Sequence, residues 1–487
     1  MAVLTSSEEH NALGLPKDLH GTARVMFTTQ QMIERRTRGK TFREAEEFHF
    51  QGAPRTLRIW DESLVPAQGL ALGADELALL PGALRTKRRE HADAARSFLA
   101  DLWGAKDGER LLVPEAFGCL SPRTLSKGSP REAAALETAI RLTGQNAVVV
   151  EANTGEKLLV GASQPLPADF APVVILDASG RVRSTYDVWQ RSGAPLVRLP
   201  AAANDYRRLR LKLWERSVGK NAVSQPGAAE DIVKALAELI DDDDDDNARW
   251  LFISYKDLSI EGPLRALLKA DLGDRLQFLT WGMHHGTNAF AACNKVVLIG
   301  QLTYGTAGYL ALAAACGASI TEGAEETLAA LKAGEYRHNL LQALTRASVR
   351  RSVSGVAGIC TAYVIASSNV GMREMLPEVF PGCDIERWAP DVPEVGGRAG
   401  QLIELLRFGM RDRVGRLAKG DLAAALGMQK ANFSRLLRQP AVRDFLEANH
   451  IRIEHQVLVI PKGFDPWPEG GFTSDEIGLQ DGIVMDQ

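Results

Sequence analysis

Cysteine is scarce in this sequence. Five cysteines (Cys119, Cys293, Cys316, Cys360 and Cys383) are spread over 487 residues, and no two form a Cys-x-x-Cys pair. Such spacing fits reduced thiols better than a disulfide framework, a zinc site or an iron–sulfur cluster. Long apolar runs are also missing. The longest low-charge stretch, Val296 to Ile320, is interrupted by Gln301 and several glycines. It reads as a buried strand followed by a helix, not a membrane span. The first twenty residues have no basic region ahead of an apolar core, so they do not read as a secretory signal. Neither charge dominates: the net charge of −4 excludes a surface that is basic all over, while a local basic face is still allowed. No internal repeat is visible. These absences leave a cytoplasmic, multi-domain globular chain, with the ordinary balance of 45% apolar and 24% charged residues.

The length suits about three domains. Short apolar runs recur at wide spacing: Leu57–Trp60, Ala147–Glu151, Pro172–Leu176, Trp250–Ser254, Leu276–Thr280, Lys295–Gly300 and Thr361–Ala366. Each is bounded by turn or polar residues, and helical patterns lie between many of them. Strands alternating with helices imply a parallel sheet covered on both faces. From Ala74 to about Gln145 the pattern is mostly helical, as expected of an insertion into a first α/β domain. Six consecutive aspartates, Asp241–Asp246, read as a solvated loop ahead of a strand. The Pro- and Gly-rich segment from Ala389 to Gly400 reads as a linker.

Asp61 and Glu62 directly follow the first apolar strand. In an open parallel sheet, ligands bind beyond the carboxyl ends of the strands. An Asp there can hold Mg²⁺ through water, and the adjacent Glu can orient and deprotonate an attacking water. Other segments follow in a set order. Before the acid pair comes Arg24-Val-Met-Phe-Thr-Thr, a strand ending in Thr28 and Thr29. After it come Val173-Val-Ile-Leu-Asp-Ala-Ser, Trp250-Leu-Phe-Ile-Ser-Tyr, the loop containing His284 to Asn288, and Gln342-Ala-Leu-Thr-Arg-Ala-Ser-Val-Arg.

This succession, from Ala23 to Ser367, resembles the ordered motifs of superfamily two helicases. It is most similar to the divergent helicase-like proteins of phages and mobile elements. The resemblance implies a pair of RecA-like domains, with ATP and Mg²⁺ as cofactors. Asp61 and Glu62 then match the DExx position, with Asp61 toward the metal. Asp177, Ala178 and Ser179 match the motif that couples hydrolysis to strand movement, with Asp177 toward the nucleotide. Gly286, Thr287 and Asn288 match a segment touching nucleotide and nucleic-acid backbone, and Thr28, Thr29 and Thr287 fall on the nucleic-acid side. Gln342, Arg346 and Arg350 resemble a Q-x-x-x-R-x-x-R motif whose arginines act on the transferring phosphate. Here the second arginine comes one residue late, with Val349 in its place. On a continuous helix, positions 342, 346 and 350 would share a face.

The motor family also needs a G-x-x-x-x-G-K-[ST] loop, whose amides cradle phosphate while its lysine neutralises it. Gly39-Lys40-Thr41 has Glu34 where the first glycine belongs, and it follows a charged, helical-looking stretch. Lys40 is therefore not expected to be the phosphate lysine. The expectation is that the chain starts downstream of that loop, or is a split or inactivated motor. It would then bind ATP poorly on its own and need a partner to supply the missing segment. His284 and His285 are expected to have no catalytic role.

After the linker the sequence turns basic. Residues 396–440 carry nine basic side chains against three acidic ones, a net of +6. Lys419 to Arg438 resembles a helix-turn-helix. Asp421 is expected to cap the first helix, Gly427 to permit the turn, and Gln429–Leu437 to form the recognition helix. Leu422, Ala425, Leu426, Phe433, Leu436 and Leu437 form the expected apolar seam. Gln429, Lys430, Asn432, Ser434 and Arg435 are of the types that touch phosphates and base edges. Ile451 to Pro461 alternates like the hairpin of a wing.

The expected architecture is thus α/β. A partial RecA-like domain spans 1–220 with its insertion over about 74–145, and a second spans 221–390. A winged-helix or helix-turn-helix module follows over 396–465, then a tail over 466–487. The implied function is ATP-dependent translocation on nucleic acid, DNA more than RNA, with no membrane partner. The rival reading is a non-catalytic DNA-binding replication or regulatory factor of a mobile element.

Overall fold

The structure is a computed structural model. It describes residues 1–460 except positions 66, 85–87, 126–127, 152–154, 165, 220–222, 224–227, 284–288, 322, 368–369, 391–396 and 412–413. The tail and half of the 389–400 linker, positions 391–396, therefore lie outside the described residues. The chain divides into two units, Met1–Ala203 with Thr303–Leu341, and Asn204–Leu302 with Gln342–Gln487.

The first unit opens with β1 (Ala2–Leu4), which pairs in parallel with β2 (Met26–Thr28). A short hairpin joins β3 (His49–Phe50) to β4 (Ala53–Pro54). The acid-bearing strand is β5 (Ile59–Asp61). It starts two residues later than the expected 57–60, leaving Leu57 65% exposed. An antiparallel sheet follows, built from β6 (Gln68–Gly73), β7 (Arg110–Leu112), β8 (Asn146–Glu151) and β9 (Lys157–Ser163) in the order β6-β9-β8-β7. Last comes β10 (Val174–Leu176), parallel to β5.

The Ala147–Glu151 run is therefore a strand, but not of a parallel sheet. Leu158 to Val160 supplies a second apolar strand that pairs with it in hairpin fashion, and antiparallel pairing needs no crossover helix. The 74–145 segment is mostly helical, as expected, with helices Ala74–Leu77, Leu80–Leu84, Arg89–Gly104 and Pro130–Leu142. Those helices pack on one face of the antiparallel sheet around Leu72, Phe98, Phe117, Leu136 and Leu159. The helix Thr306–Ala315 covers the other face, around Val148, Val160 and Leu310. That approach depends on Gly69, where a Cβ would stand 2.0 Å from the Ala311 carbonyl oxygen.

In the second unit, six parallel strands form one sheet in the order β13-β12-β14-β15-β11-β16. They are β11 (Leu209–Glu215), β12 (Trp250–Ser254), β13 (Leu276–Thr280), β14 (Lys295–Ile299), β15 (Cys360–Ala366) and β16 (Asp384–Arg387). Four of the expected runs thus become neighbouring parallel strands, and β12 is buried along its whole length. This is the burial that a continuous apolar run demands when helices cover both faces. The aspartate run is less free than expected. Lys295 Nζ sits 2.8 Å from Asp243, Asn294 donates to Asp245, and Lys269 lies 3.7 Å from Asp241. The acids after the helix are thereby fastened beside the starts of their neighbouring strands.

The rest of the second unit folds around its own core of Leu402, Leu406, Leu422, Phe433, Val442 and Leu458. Helices Gly397–Arg411, Lys419–Ala425, Lys430–Leu436 and Pro440–Ala448 accompany an antiparallel sheet of β17 (Arg416–Ala418), β18 (Arg452–Glu454) and β19 (Val457–Val459). Asp421 does not cap its helix. The N-cap position is Ala418, which puts Asp421 inside the first turn, where its charge still suits the helix dipole. Ala425 is exposed, and Ala423 is buried in its place.

Candidate functional site

The acid pair stands where the sheet rule puts it, at the carboxyl end of β5. Leu176 of β10 is in register with Asp61, and the Glu62 amide continues the ladder by donating to the Leu176 carbonyl at 2.9 Å. Both acids are exposed. Neither carboxylate has a hydrogen-bond or ion-pair partner among the described residues. Glu62 is left-handed, with φ of 70°. Non-glycine residues seldom adopt this conformation, which costs about 1–2 kcal/mol, and it turns the chain sharply after the strand. An uncommitted carboxylate at a strand end suits Mg²⁺, which keeps most of its waters and takes one or two protein oxygens.

Directly beside the acid pair, Asp177 anchors a polar network. Its Oδ1 accepts from the Ser179 amide at 2.7 Å and the Ser179 hydroxyl at 2.6 Å, and its Oδ2 accepts from the Tyr186 hydroxyl at 2.8 Å. Burial would raise the Asp177 carboxyl. Hydrogen bonds from Ser179, Tyr186 and Ser63 outweigh it and hold the group below its ordinary 3.8. The Tyr186 oxygen also accepts from the Leu64 amide at 3.2 Å. One phenol therefore joins the loop after Glu62 to the loop after β10. Burial, followed by the Asp177 charge, pushes that phenol well above its usual range.

The network continues into a distant stretch of the chain. The His338 ring nitrogen Nδ1 lies 2.7 Å from the Ser179 hydroxyl. Arg183 grips Glu335 with two bonds, Nε to Oε1 at 2.6 Å and a terminal nitrogen to Oε2 at 3.0 Å. Thr185 donates to the same carboxylate at 3.1 Å, and Tyr304 does so at 3.4 Å. Glu335 is fully buried and Arg183 is 7% exposed. Burial works against the charge of Arg183, but the Glu335 carboxylate overrides it and raises the guanidinium above its ordinary value. Gly334 makes the approach of this helix possible, because a Cβ there would meet the Ser184 nitrogen at 2.4 Å. Sequence reasoning missed Tyr186, Arg183, Glu335 and His338. A usable signal was present: Glu335 and His338 lie one turn apart in an otherwise alanine- and leucine-rich helix, Ala324–Leu344.

Thr28 and Thr29 use their hydroxyls locally. Thr28 donates to the Leu4 carbonyl at 2.7 Å, and Thr29 caps the helix Gln30–Thr37 by accepting from Met32. Gly39-Lys40-Thr41 follows that helix instead of a strand. The Thr41 amide and hydroxyl are both bound to Glu44, at 2.7 and 2.9 Å. These atoms are committed within a single turn of helix, so this segment does not fit a phosphate loop.

In the second unit the Gln342–Arg350 segment departs from one continuous helix. The helix ends at Leu344, Arg346 lies in the turn that follows, and Arg350 closes a separate helical turn, Ser348–Arg350. Positions 342, 346 and 350 therefore do not share a helix face. Gln342 and Arg346 stay together. Arg346 donates through Nε to the Gln342 carbonyl at 3.2 Å and through a terminal nitrogen to its side-chain oxygen. Arg346 is 5% exposed, whereas Arg350 is on the surface. His284, His285, Gly286, Thr287 and Asn288 lie outside the described residues.

In the C-terminal part, Gln429 is the N-cap residue of Lys430–Leu436, a helix shorter at each end than the expected 429–437. Gln429, Lys430, Asn432, Ser434 and Arg435 are all exposed, while Phe433 and Leu436 turn inward. Gly427 has φ of 60°, as the turn between the two helices requires.

Among the described residues, no group of three or more His, Cys, Asp or Glu side chains could hold a metal ion, and no helix is long and apolar enough to cross a membrane. No family model and no curated protein matches the chain. Among solved structures it is similar to Xpd4 of S. tokodaii at 11% identity, covering 75% of this chain and 82% of that one, with a TM-score of 0.38. An apo XPD is 10% identical over 68% of this chain and 77% of that one, with a TM-score of 0.35. An XPD helicase is 9% identical over 68% of each chain, with a TM-score of 0.32.

Proposed function

We propose that the chain is a helicase-like nucleic-acid motor of superfamily two type, one that turns over ATP negligibly by itself. One observation carries this reading. Parallel pairing of β5 with β10 brings the ends of two motif-bearing segments side by side, and Tyr186 bonds to both loops. Asp61 would hold Mg²⁺ through water, and Glu62 stands where a carboxylate can accept the proton of an attacking water. Arg346, positioned by Gln342, would meet the phosphate, with Arg350 as the second arginine. Asp177 would sense the nucleotide through Ser179. Gly286, Thr287 and Asn288, with Thr28 and Thr29, would line the path of nucleotide and strand.

The weak turnover follows from the Gly39–Thr41 segment, which follows a helix instead of a strand and whose Thr41 amide and hydroxyl are both bound to Glu44. The decisive assay is ATP hydrolysis with and without single-stranded DNA. Turnover is expected below about 0.01 s⁻¹, against the 1–100 s⁻¹ typical of phosphoryl-transfer enzymes such as kinases. A DNA-stimulated rate near one per second would overturn the inactivity. In that event Glu62→Gln and Arg346→Ala must each abolish it for the motor assignment to stand.

A second reading, a non-catalytic DNA-binding factor of a mobile element, is favoured by the C-terminal part. A winged-helix module over residues 396–465 would present Gln429, Lys430, Asn432, Ser434 and Arg435 to DNA without any nucleotide. A partner protein that brings a phosphate loop belongs to the motor reading, and a cytoplasmic setting is proposed for both.

A further inference from the structure

A cavity of about 310 Å³ lies within the first unit, lined by Thr303, Tyr304, Thr306, Tyr309, Lys332 and Tyr336 among others. Among the described residues its walls are chemically lopsided, with three phenol rings, two threonine hydroxyls and one ammonium, and no carboxylate. Glu335 is next in sequence to Tyr336, but it is fully buried and held by Arg183 and Thr185. Among the described residues, the only formal charge on the wall is therefore positive. Lys332 makes no ion pair among the described residues, and its nitrogen stands 5.9 Å from the centre of the Tyr336 ring.

The aromatic side is held in place beforehand. Tyr304 and Tyr309 meet edge to face, with ring centres 5.4 Å apart. The Tyr304 hydroxyl donates to Glu335 at 3.4 Å, and the Tyr309 oxygen accepts from the Tyr304 amide at 3.3 Å. Their polar ends are thus engaged inside the protein. Tyr304 is still 40% exposed, so it keeps an accessible ring surface. A ligand for such a pocket needs a flat ring to lie on a phenol and an anion to meet a lone ammonium. It must also fit a volume at the small end of ligand sites. A duplex is too large, and a neutral aliphatic molecule would leave the ammonium and hydroxyls unused.

We propose that this cavity binds a single nucleotide, with its base against Tyr304, its phosphate on Lys332 and the hydroxyls of Thr303 and Thr306 as hydrogen-bonding partners. The proposal rests on the wall chemistry and is independent of the motor reading, since a chain with no ATP turnover can hold a nucleotide here. Photocrosslinking of the full-length chain tests it. The chain is irradiated with a single-stranded oligonucleotide containing 5-iodouracil and, separately, with 5-iodouridine monophosphate, and the labelled peptides are identified by mass spectrometry. Label on Tyr304 or Tyr336 is the expected result. Labelling by the oligonucleotide alone assigns the pocket to a bound strand, and labelling by both probes assigns it to free nucleotides as well. Lys332→Ala, an exposed position, should reduce labelling at limiting probe about tenfold, as loss of a charge-assisted contact predicts. Tyr304→Leu should reduce it similarly, whereas Tyr304→Phe keeps it. Crosslinks confined to other segments, or labelling unchanged in both Lys332→Ala and Tyr304→Leu, overturn the proposal.

Discussion

Glu335 and Arg183 are the costliest side chains to disturb in the first unit. Both are nearly devoid of solvent, and each satisfies the other through two bonds. Removing one partner leaves a buried charge with nothing to balance it, which typically costs about 3–5 kcal/mol. Glu335→Ala should lower stability by that amount in urea unfolding, while Arg183→Met combined with Glu335→Leu should recover much of the loss. If the single variant unfolds like the parent, the ion pair does not hold the network together. Asp177 gives the same network a pH dependence. Its folded value lies below the ordinary 3.8, so its contribution is fully present above the unfolded value and disappears as pH falls through the folded one. Denaturation measured from pH 6 to pH 2 should show this acid-side loss in the parent and less of it in Asp177→Asn. Equal acid slopes in the two proteins would count against the assigned hydrogen bonds.

Elements matter here by how closely they approach and where they stop. The 324–344 helix reaches Ser184 only because position 334 has no side chain. Gly334→Ala should therefore destabilise the chain by roughly 1–3 kcal/mol or more, even though alanine favours helix, because overpacking outweighs propensity. A melting temperature equal to the parent's would refute that close contact. In the C-terminal part, the 430–436 helix buries Phe433 and Leu436 and turns its polar side chains to solvent. If that face binds DNA, Lys430→Ala with Arg435→Ala should weaken binding at low salt and reduce the slope of log affinity against log salt by about two, one per lost phosphate contact. Unchanged affinity would remove the helix from the interface. Arg346 and Arg350 show how an element's end reshapes a motif. The spacing of a continuous helix aligns them, but the helix ends at Leu344 and only Arg346 stays with Gln342.

Across the whole molecule, local pattern alone accounts for four neighbouring strands of the six-stranded parallel sheet, the helical run after Ala74 and the acid pair at the end of a strand. Each follows from features that neighbouring residues carry together. Buried parallel strands must be apolar along their length, helices must keep a 3.6-residue period, and a polar residue ends an apolar run. The antiparallel pairing of β8 with β9 was not legible, because an apolar strand is equally suited to either direction and its partner decides. Nor was the site's polar network, where Arg183 and Glu335 stand 152 residues apart and Ser179 and His338 are separated by 159. Burial converts such groups from ordinary surface residues into obligate partners, and burial is a property of the packed chain. Composition and order thus determined which segments form strands and helices and where acids end them. Folding alone determined which distant side chains share a dry interior, because that depends on packing distances that no stretch of sequence contains.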